Sequence, residues 1–193
     1  DLGISSMQLD NPERGFSYKT DGPLDLRMNP LKGVPASKRL RQLNEEELAG
    51  MLGENADEPF AAEIARTIVG DLRQGVRIET TTALHQEVVK ALQKVRVPDR
   101  KEAVKKSSAR TFQALRIDIN REFEVLYTFL EKLPYILAPG GRVAILTFHS
   151  GEDRLVKKAF KHFHQEGLYA EIADNAQRPS AEECFKNGRA KPA

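Results

Sequence analysis

The run Leu137-Ala138-Pro139-Gly140-Gly141-Arg142-Val143-Ala144-Ile145-Leu146-Thr147-Phe148 decides how the chain is read. Upstream of it, Phe112, Leu115, Ile119, Phe123, Leu126, Leu130 and Leu133 recur at helical spacing, which predicts one long helix. Pro139-Gly140-Gly141 punctuates that helix. Residues 143–148 are β-rich and apolar on both faces, as a central strand of a covered sheet must be. Ser150, with Asp153 at the third helical position, then caps another helix. Its buried face is Leu155, Ala159, Phe160 and Phe163, and Gly167 ends it. Leu168 to Ala173 is a candidate for one more strand. Helix, turn, strand and helix in this order belong to an α/β sheet.

The sequence changes character further upstream. Residues 1–30 are rich in Gly, Pro, Asp and Asn and read as a loop, with tight turns at Asn11-Pro12 and Asp21-Gly22-Pro23. Residues 35–95 read as helices. Asn44 followed by Glu45, Glu46 and Glu47 is a capping-box start, and Gly53 is expected to stop that helix. Pro59 suits a first helical position, after which Phe60, Ile64, Ile68 and Leu72 form one apolar stripe closed by Gly75. A third helix from about Thr82 turns Leu84, Val88, Ala91, Leu92 and Val95 inward. The expected organisation is therefore a discontinuous α/β domain, residues 1–14 and 118–193, interrupted by an all-helical insertion, residues 15–117.

Composition excludes several classes. The chain has 193 residues, 40% hydrophobic and 30% charged, the balance of a globular protein rather than a disordered one. No apolar run approaches the length a membrane span needs, so no membrane partner is expected. Cys184 is the single cysteine, which rules out an intrachain disulfide or a cysteine zinc site and accords with a reducing, cytoplasmic setting. The formal net charge of +2 is too small to argue for nucleic acid, but Lys94, Arg96, Arg100, Lys101, Lys105, Lys106 and Arg110 face only Asp99 and Glu102 in the same stretch. The chain opens at Asp1-Leu2-Gly3 like the end of a buried strand and closes at Lys191-Pro192-Ala193; both ends are expected to be cuts through a larger protein.

In open α/β sheets ligands sit beyond the carboxyl ends of strands, which makes Asp1 to Gln8 and Thr147 to Arg154 the site candidates. His149 lies just past a strand end, where a side chain can reach a ligand. Two other signals carry no chemistry. His162 and His164 are two apart on a helix and cannot easily share a metal, so none is expected. His149-Ser150 beside Asp153 has no nucleophile elbow of the Gly-x-Ser-x-Gly kind.

Four segments in order, DLGISSMQLDNPERGF (1–16), DGPLDLRM (21–28), RTFQALRIDIN (110–120) and TFHSGEDR (147–154), closely resemble the family of 16S rRNA cytosine-N(4) methyltransferases. The Leu137 to Arg142 passage is also common in class I methyltransferases. The resemblance implies a partial class I, Rossmann-like fold with an inserted helical substrate-recognition domain. It also implies S-adenosylmethionine as methyl donor, and small-subunit rRNA or the assembled small ribosomal subunit as partner. Asp1 and Gln8 match the family's donor-binding Asp and Gln. Asp1, Ser5 and His149 are the catalytic candidates. Asp25, Arg27, Lys101, Lys105, Lys106, Arg110 and Arg154 are the candidates for RNA contact. The expected reaction is methylation of the N(4) amine of a decoding-region cytidine. The alternatives are another RNA nucleobase, or a non-catalytic RNA-binding remnant. Family members carry the Gly-rich donor loop upstream, so this chain alone is expected to bind donor poorly and to be inactive. The sequence departs from the family at Gly151, where Leu is usual, and near Leu40, where Trp is frequent. Oligomeric state is not legible.

Overall fold

The computed structural model describes residues 2–187. The chain divides into two compact units: Ile4–Glu122, and the described part of Asp1–Gly3 with Phe123–Ala193. The sequence reading set its own cuts after residues 14 and 117.

The unit Ile4–Glu122 is helical. A short helix α1 (Ser6–Asp10) leads into a 3-10 turn (Pro12–Arg14), and Gly15 reverses the chain in the left-handed region at φ 69°. Then come α2 (Ala36–Gln42), α3 (Glu45–Ala56), α4 (Ala61–Arg73), α5 (Thr81–Gln93) and α6 (Arg100–Asn120). Their ends follow local chemistry. Asn44 and Glu47 form the expected reciprocal capping box at the start of α3. Thr80 caps α5 and Asp99 caps α6 through their side chains. Ile64, Ile68, Leu84, Val88, Ala91 and Leu92 are buried in one continuous core with Leu40, Leu48, Leu52 and Leu115. The stripes written into the sequence are thus the faces that meet.

Three boundaries differ from the sequence reading. Gly53 does not stop α3, which runs to Ala56 and ends on Asp57 at φ 50°. Pro59 precedes α4 rather than opening it, because the first helical residue is Ala61. The long helix is two helices, α6 and α7 (Glu122–Ile136), broken where Arg121 adopts the left-handed conformation.

The loop between the 3-10 turn and α2 is clamped rather than loose. Leu26 is buried at φ 64°, a conformation that costs a branched side chain energy unless its surroundings enforce it. Asn120 at the end of α6 does so: its Nδ2 donates to the Leu26 carbonyl at 2.8 Å and its Oδ1 accepts the Met28 N–H at 2.7 Å. Arg14 donates to the Arg27 and Met28 carbonyls.

The second unit contains α7, α8 (Ser150–Gln165) and α9 (Ala181–Lys186). Leu126, Leu130 and Val156 form its small core, with Leu2, Ile145, Leu155, Ala159 and Phe160 against it. Among the described residues no strand forms at 143–148 or at 168–173, contrary to the expectation. A strand is defined by its ladder, and here the Leu2 N–H to Leu146 carbonyl bond, 3.1 Å, joins residues 143–148 to the chain's beginning. Val143, Ile145 and Thr147 are half-buried, while Leu146 and Phe148 are exposed at 53% and 52%. The N-cap of α8 is His149, not Ser150. The α9 helix starts with a capping box of Ser180 and Glu183 that the sequence reading passed over.

Candidate functional site

Ser5 and Gln8 are brought together by α1. The Gln8 N–H donates to Ser5 Oγ at 3.3 Å, and the Ser5 N–H donates to Gln8 Oε1 at 2.9 Å. That reciprocal cap fixes both side chains on a surface turn. It leaves the two Nε2 protons of Gln8 without a recorded acceptor among the described residues and one lone pair of Ser5 Oγ open. Asp1, the other donor-binding candidate, lies outside the described residues.

Asp25 and Arg27 face each other as a bidentate pair, with both Arg27 Nε and Nη2 2.7 Å from the carboxylate. The guanidinium hydrogen bonds hold the Asp25 carboxyl below its usual range, and Arg27 also donates to the Gly33 carbonyl. Arg27 is half-buried, so its exposed edge rather than its whole fork is available to a ligand.

From Arg100 onward the basic run forms the first three turns of α6, while Lys94 and Arg96 precede it. Lys101, Lys105 and Lys106 are exposed there. Lys105 and Lys106 flank Glu102 at 3.7 and 3.5 Å, separations at which an exposed ion pair contributes little. Arg110 turns toward the buried Glu58, whose Oε2 stands 4.0 Å away. The other Glu58 oxygen accepts from Ser107 Oγ and from the Phe60 N–H.

In the second unit the His149 side chain is only 7% exposed. Its Nδ1 accepts the Glu152 N–H at 3.4 Å, so the proton of the neutral ring sits on Nε2, 3.4 Å from Glu152 Oε1. Glu152 in turn accepts the Phe148 N–H at 2.8 Å. The three residues lock the passage from the extended segment into α8. Gly151 packs against Phe123: a Cβ added there would lie 2.5 Å from Phe123 Cζ, which accounts for glycine in this setting. Arg154 lies on the exposed side of α8.

Sequence reasoning missed the aromatic cluster around Tyr18. Its ring stacks on His85, with centroids 4.4 Å apart and planes 6° apart, and tilts against Phe112 at 5.5 Å. His85 Nδ1 is 2.8 Å from the buried Ser108 Oγ, and burial lowers its pKa, which favours the neutral ring. Tyr18 sits in a stretch without periodicity, and only the fold brings it to α5 and α6.

Comparison with known proteins assigns the class. The model of the MraW methylase family matches residues 1–193, and the chain belongs to that family of methyltransferases. It is 60% identical over 191 residues to ribosomal RNA small subunit methyltransferase H 1 of Lachnoclostridium phytofermentans, covering 99% of this chain and 52% of the relative. It is 61% identical over 193 residues to ribosomal RNA small subunit methyltransferase H 2 of Alkaliphilus metalliredigens, covering 100% of this chain and 55% of the relative. To ribosomal RNA small subunit methyltransferase H of Prochlorococcus marinus strain MIT 9301 the identity is 41% over 191 residues, 99% of this chain and 61% of the relative. The chain thus spans about half the length of the first two of these relatives.

Proposed function

We propose that the protein methylates the exocyclic N(4) amine of a cytidine in the decoding region of small-subunit rRNA, in the cytoplasm, with S-adenosylmethionine as methyl donor. The observation that carries this reading is the 60% identity to a small-subunit rRNA methyltransferase over 99% of the chain. On the same reading the described part of Asp1–Gly3 and Phe123–Ala193 belongs to a class I catalytic domain, and the helical unit is the substrate-recognition insertion.

S-adenosylmethionine supplies an electrophilic methyl group on its sulfonium. The chain's own donor set suits that molecule in chemistry, since the Ser5 cap engages only the Oε1 of the Gln8 amide and Asp1 offers a carboxylate. The cytidine amine is a poor nucleophile because its lone pair is delocalised into the ring. Acceptors on the amine hydrogens free that pair as positive charge develops, and Asp1 with the open lone pair of Ser5 Oγ are assigned this role. Alignment of amine and methyl supplies the rest of the rate, with the base unstacked to reach the site. His149, whose ring caps α8, is assigned the catalytic or base-contacting role expected of it. Lys101, Lys105, Lys106, Arg110 and Arg154 are assigned to RNA phosphates, and the Asp25–Arg27 turn to the strand near the target.

The test is methyl transfer from labelled S-adenosylmethionine to small ribosomal subunits that lack the modification, catalysed by a protein extended upstream to the length of its relatives, with nucleosides identified by mass spectrometry. Label in N(4)-methylcytidine at one position is expected, strongly reduced by Ser5→Ala and abolished by Asp1→Ala. Label in a different nucleoside redirects the reading to another base, and no incorporation into subunits or free rRNA overturns it.

A further inference from the structure

The helical unit carries a groove of about 370 Å³, and of its lining residues only Lys105 is used by the assignments above. Its floor is one face of α6, where Lys105, Ala109, Phe112, Gln113 and Arg116 recur at the i, i+4, i+7, i+8, i+11 spacing of a single helical face. Leu9, Phe16 and Tyr18 close the other side. Three lining residues, Lys19, Lys105 and Arg116, are cationic and none is acidic. Arg116 is engaged by Glu122 at 2.8 and 3.1 Å, which leaves Lys19 and Lys105 as the cations at the rim. Lys101 stands one turn further along the same face of α6 and is exposed.

The groove combines a flat aromatic wall with positive charge. His85 covers one face of Tyr18 and Phe112 tilts against the ring at 5.5 Å; Tyr18 and Phe112 line the groove, whereas His85 does not. The stack on His85 and the His85–Ser108 contact hold that ring in place. A lining that is mostly apolar, a fixed ring and rim cations that continue as a row along one helix face match a base and its phosphate better than a protein side chain. Ile4 and Leu9, the chain neighbours of Ser5 and Gln8, line the groove, while Ser5 and Gln8 themselves do not.

We propose that this groove is a subsite for one unstacked nucleotide of the single-stranded RNA that flanks the target cytidine. The base lies against Tyr18, and its phosphates are held by Lys19 and Lys105. This rests on the RNA-methylating function proposed above and names where the substrate strand is gripped.

The experiment measures binding of a fluorescently labelled, short single-stranded oligoribonucleotide to the 193-residue chain by anisotropy, across a series of salt concentrations. Tyr18→Ala is expected to weaken binding about tenfold or more, as loss of one base–aromatic stack does. Tyr18→Leu, which keeps apolar volume without a flat ring, guards against a folding defect and is expected to weaken it similarly. Lys19→Gln lies on the surface and is expected to lower the salt slope by about 0.7, the single-strand value for one phosphate contact. Photocrosslinking with 4-thiouridine at each oligonucleotide position is expected to mark Tyr18, Lys19 or Phe112. RNA binding that none of these variants alters, with crosslinks elsewhere, overturns the subsite and leaves the methylation reading standing. Absence of oligoribonucleotide binding by the parent chain overturns the subsite, while the methyl-transfer assay decides the function separately.

Discussion

Glu87 shows how burial sets chemistry at single positions. It lies on the inner face of α5 beside Asp71 of α4, and Lys90 pairs with Asp71. Burial first, and then the neighbouring Asp71 carboxylate, push the Glu87 carboxyl up to about 7, while the Lys90 contact holds Asp71 below its usual range. Glu87 therefore binds its proton more tightly in the folded chain than in the unfolded one. The stability this adds is complete below the ordinary glutamate range and is lost as pH rises through about 7. Urea denaturation between pH 4 and 8 is expected to show that decline in the parent and a flatter profile in Glu87→Gln, whose neutral amide mimics the protonated acid. Equal slopes for the two proteins would sink the assignment. Gly15 is a second residue with one permitted identity. At φ 69° a Cβ would overlap the Pro23 carbonyl oxygen and stand 2.8 Å from the Asp25 nitrogen, so the Gly15→Ala chain meets backbone on both counts. It is expected to lose roughly 2 kcal/mol or more in the same denaturation assay. The sequence reading placed tight turns at Asn11-Pro12 and Asp21-Gly22-Pro23 but not at Gly15, because no local pattern encodes which loop crosses it.

At the level of elements, the starts of helices were readable and several of their ends were not. Asn44 with Glu47 states a helix start in four residues, and the structure forms the box as written. Arg121 states nothing of the kind. Ile119, Phe123 and Leu126 keep helical spacing across it, so periodicity passes straight through the break. What turns the chain there is contact at a distance in sequence: Arg116 grips Glu122, and Asn120 is occupied with the loop at Leu26 to Met28. The expected strand at 143–148 fails for the complementary reason. Its residues prefer an extended backbone and adopt one side of the alternation, but strand character belongs to a pair of segments and not to one. Asn120 tests how far an element is defined by such contacts. Its side chain donates to the Leu26 and Arg116 carbonyls and accepts the Met28 N–H. Asn120→Ala strips the support from a residue held at positive φ, and a loss of about 2 to 3 kcal/mol is expected by thermal or urea unfolding. A change below about half a kcal/mol would show that Arg14 alone holds the turn.

Across the whole molecule the two units bury their apolar residues very differently. The helical unit has a continuous core in which every sequence stripe finds a partner, and this is why its helices were the most legible part of the chain. The other unit is richer in apolar sequence than in core. Along α7 the face of Leu126, Leu130 and Leu133 is buried, yet Val125, Phe129 and Ile136 form a second stripe exposed at 64%, 42% and 70%. An exposed apolar stripe of this kind, beside the buried one, drives association in water. The candidate residues differ in the same way: Ser5, Gln8 and the basic face of α6 are fixed by local caps and helical spacing, whereas the setting of His149 depends on Glu152, Phe148 and Phe123 together. The stripe yields a direct prediction. Val125 and Ile136 are eleven positions apart and share one side of α7. The double variant Val125→Lys, Ile136→Lys is expected to reduce binding of a hydrophobic dye and concentration-dependent association in sedimentation velocity. Its unfolding free energy is expected to stay within about half a kcal/mol of the parent, since neither side chain belongs to the core. Unfolding of the variant with its dye binding raised would show instead that these side chains are already covered in solution, by a second copy or by a different arrangement of α7.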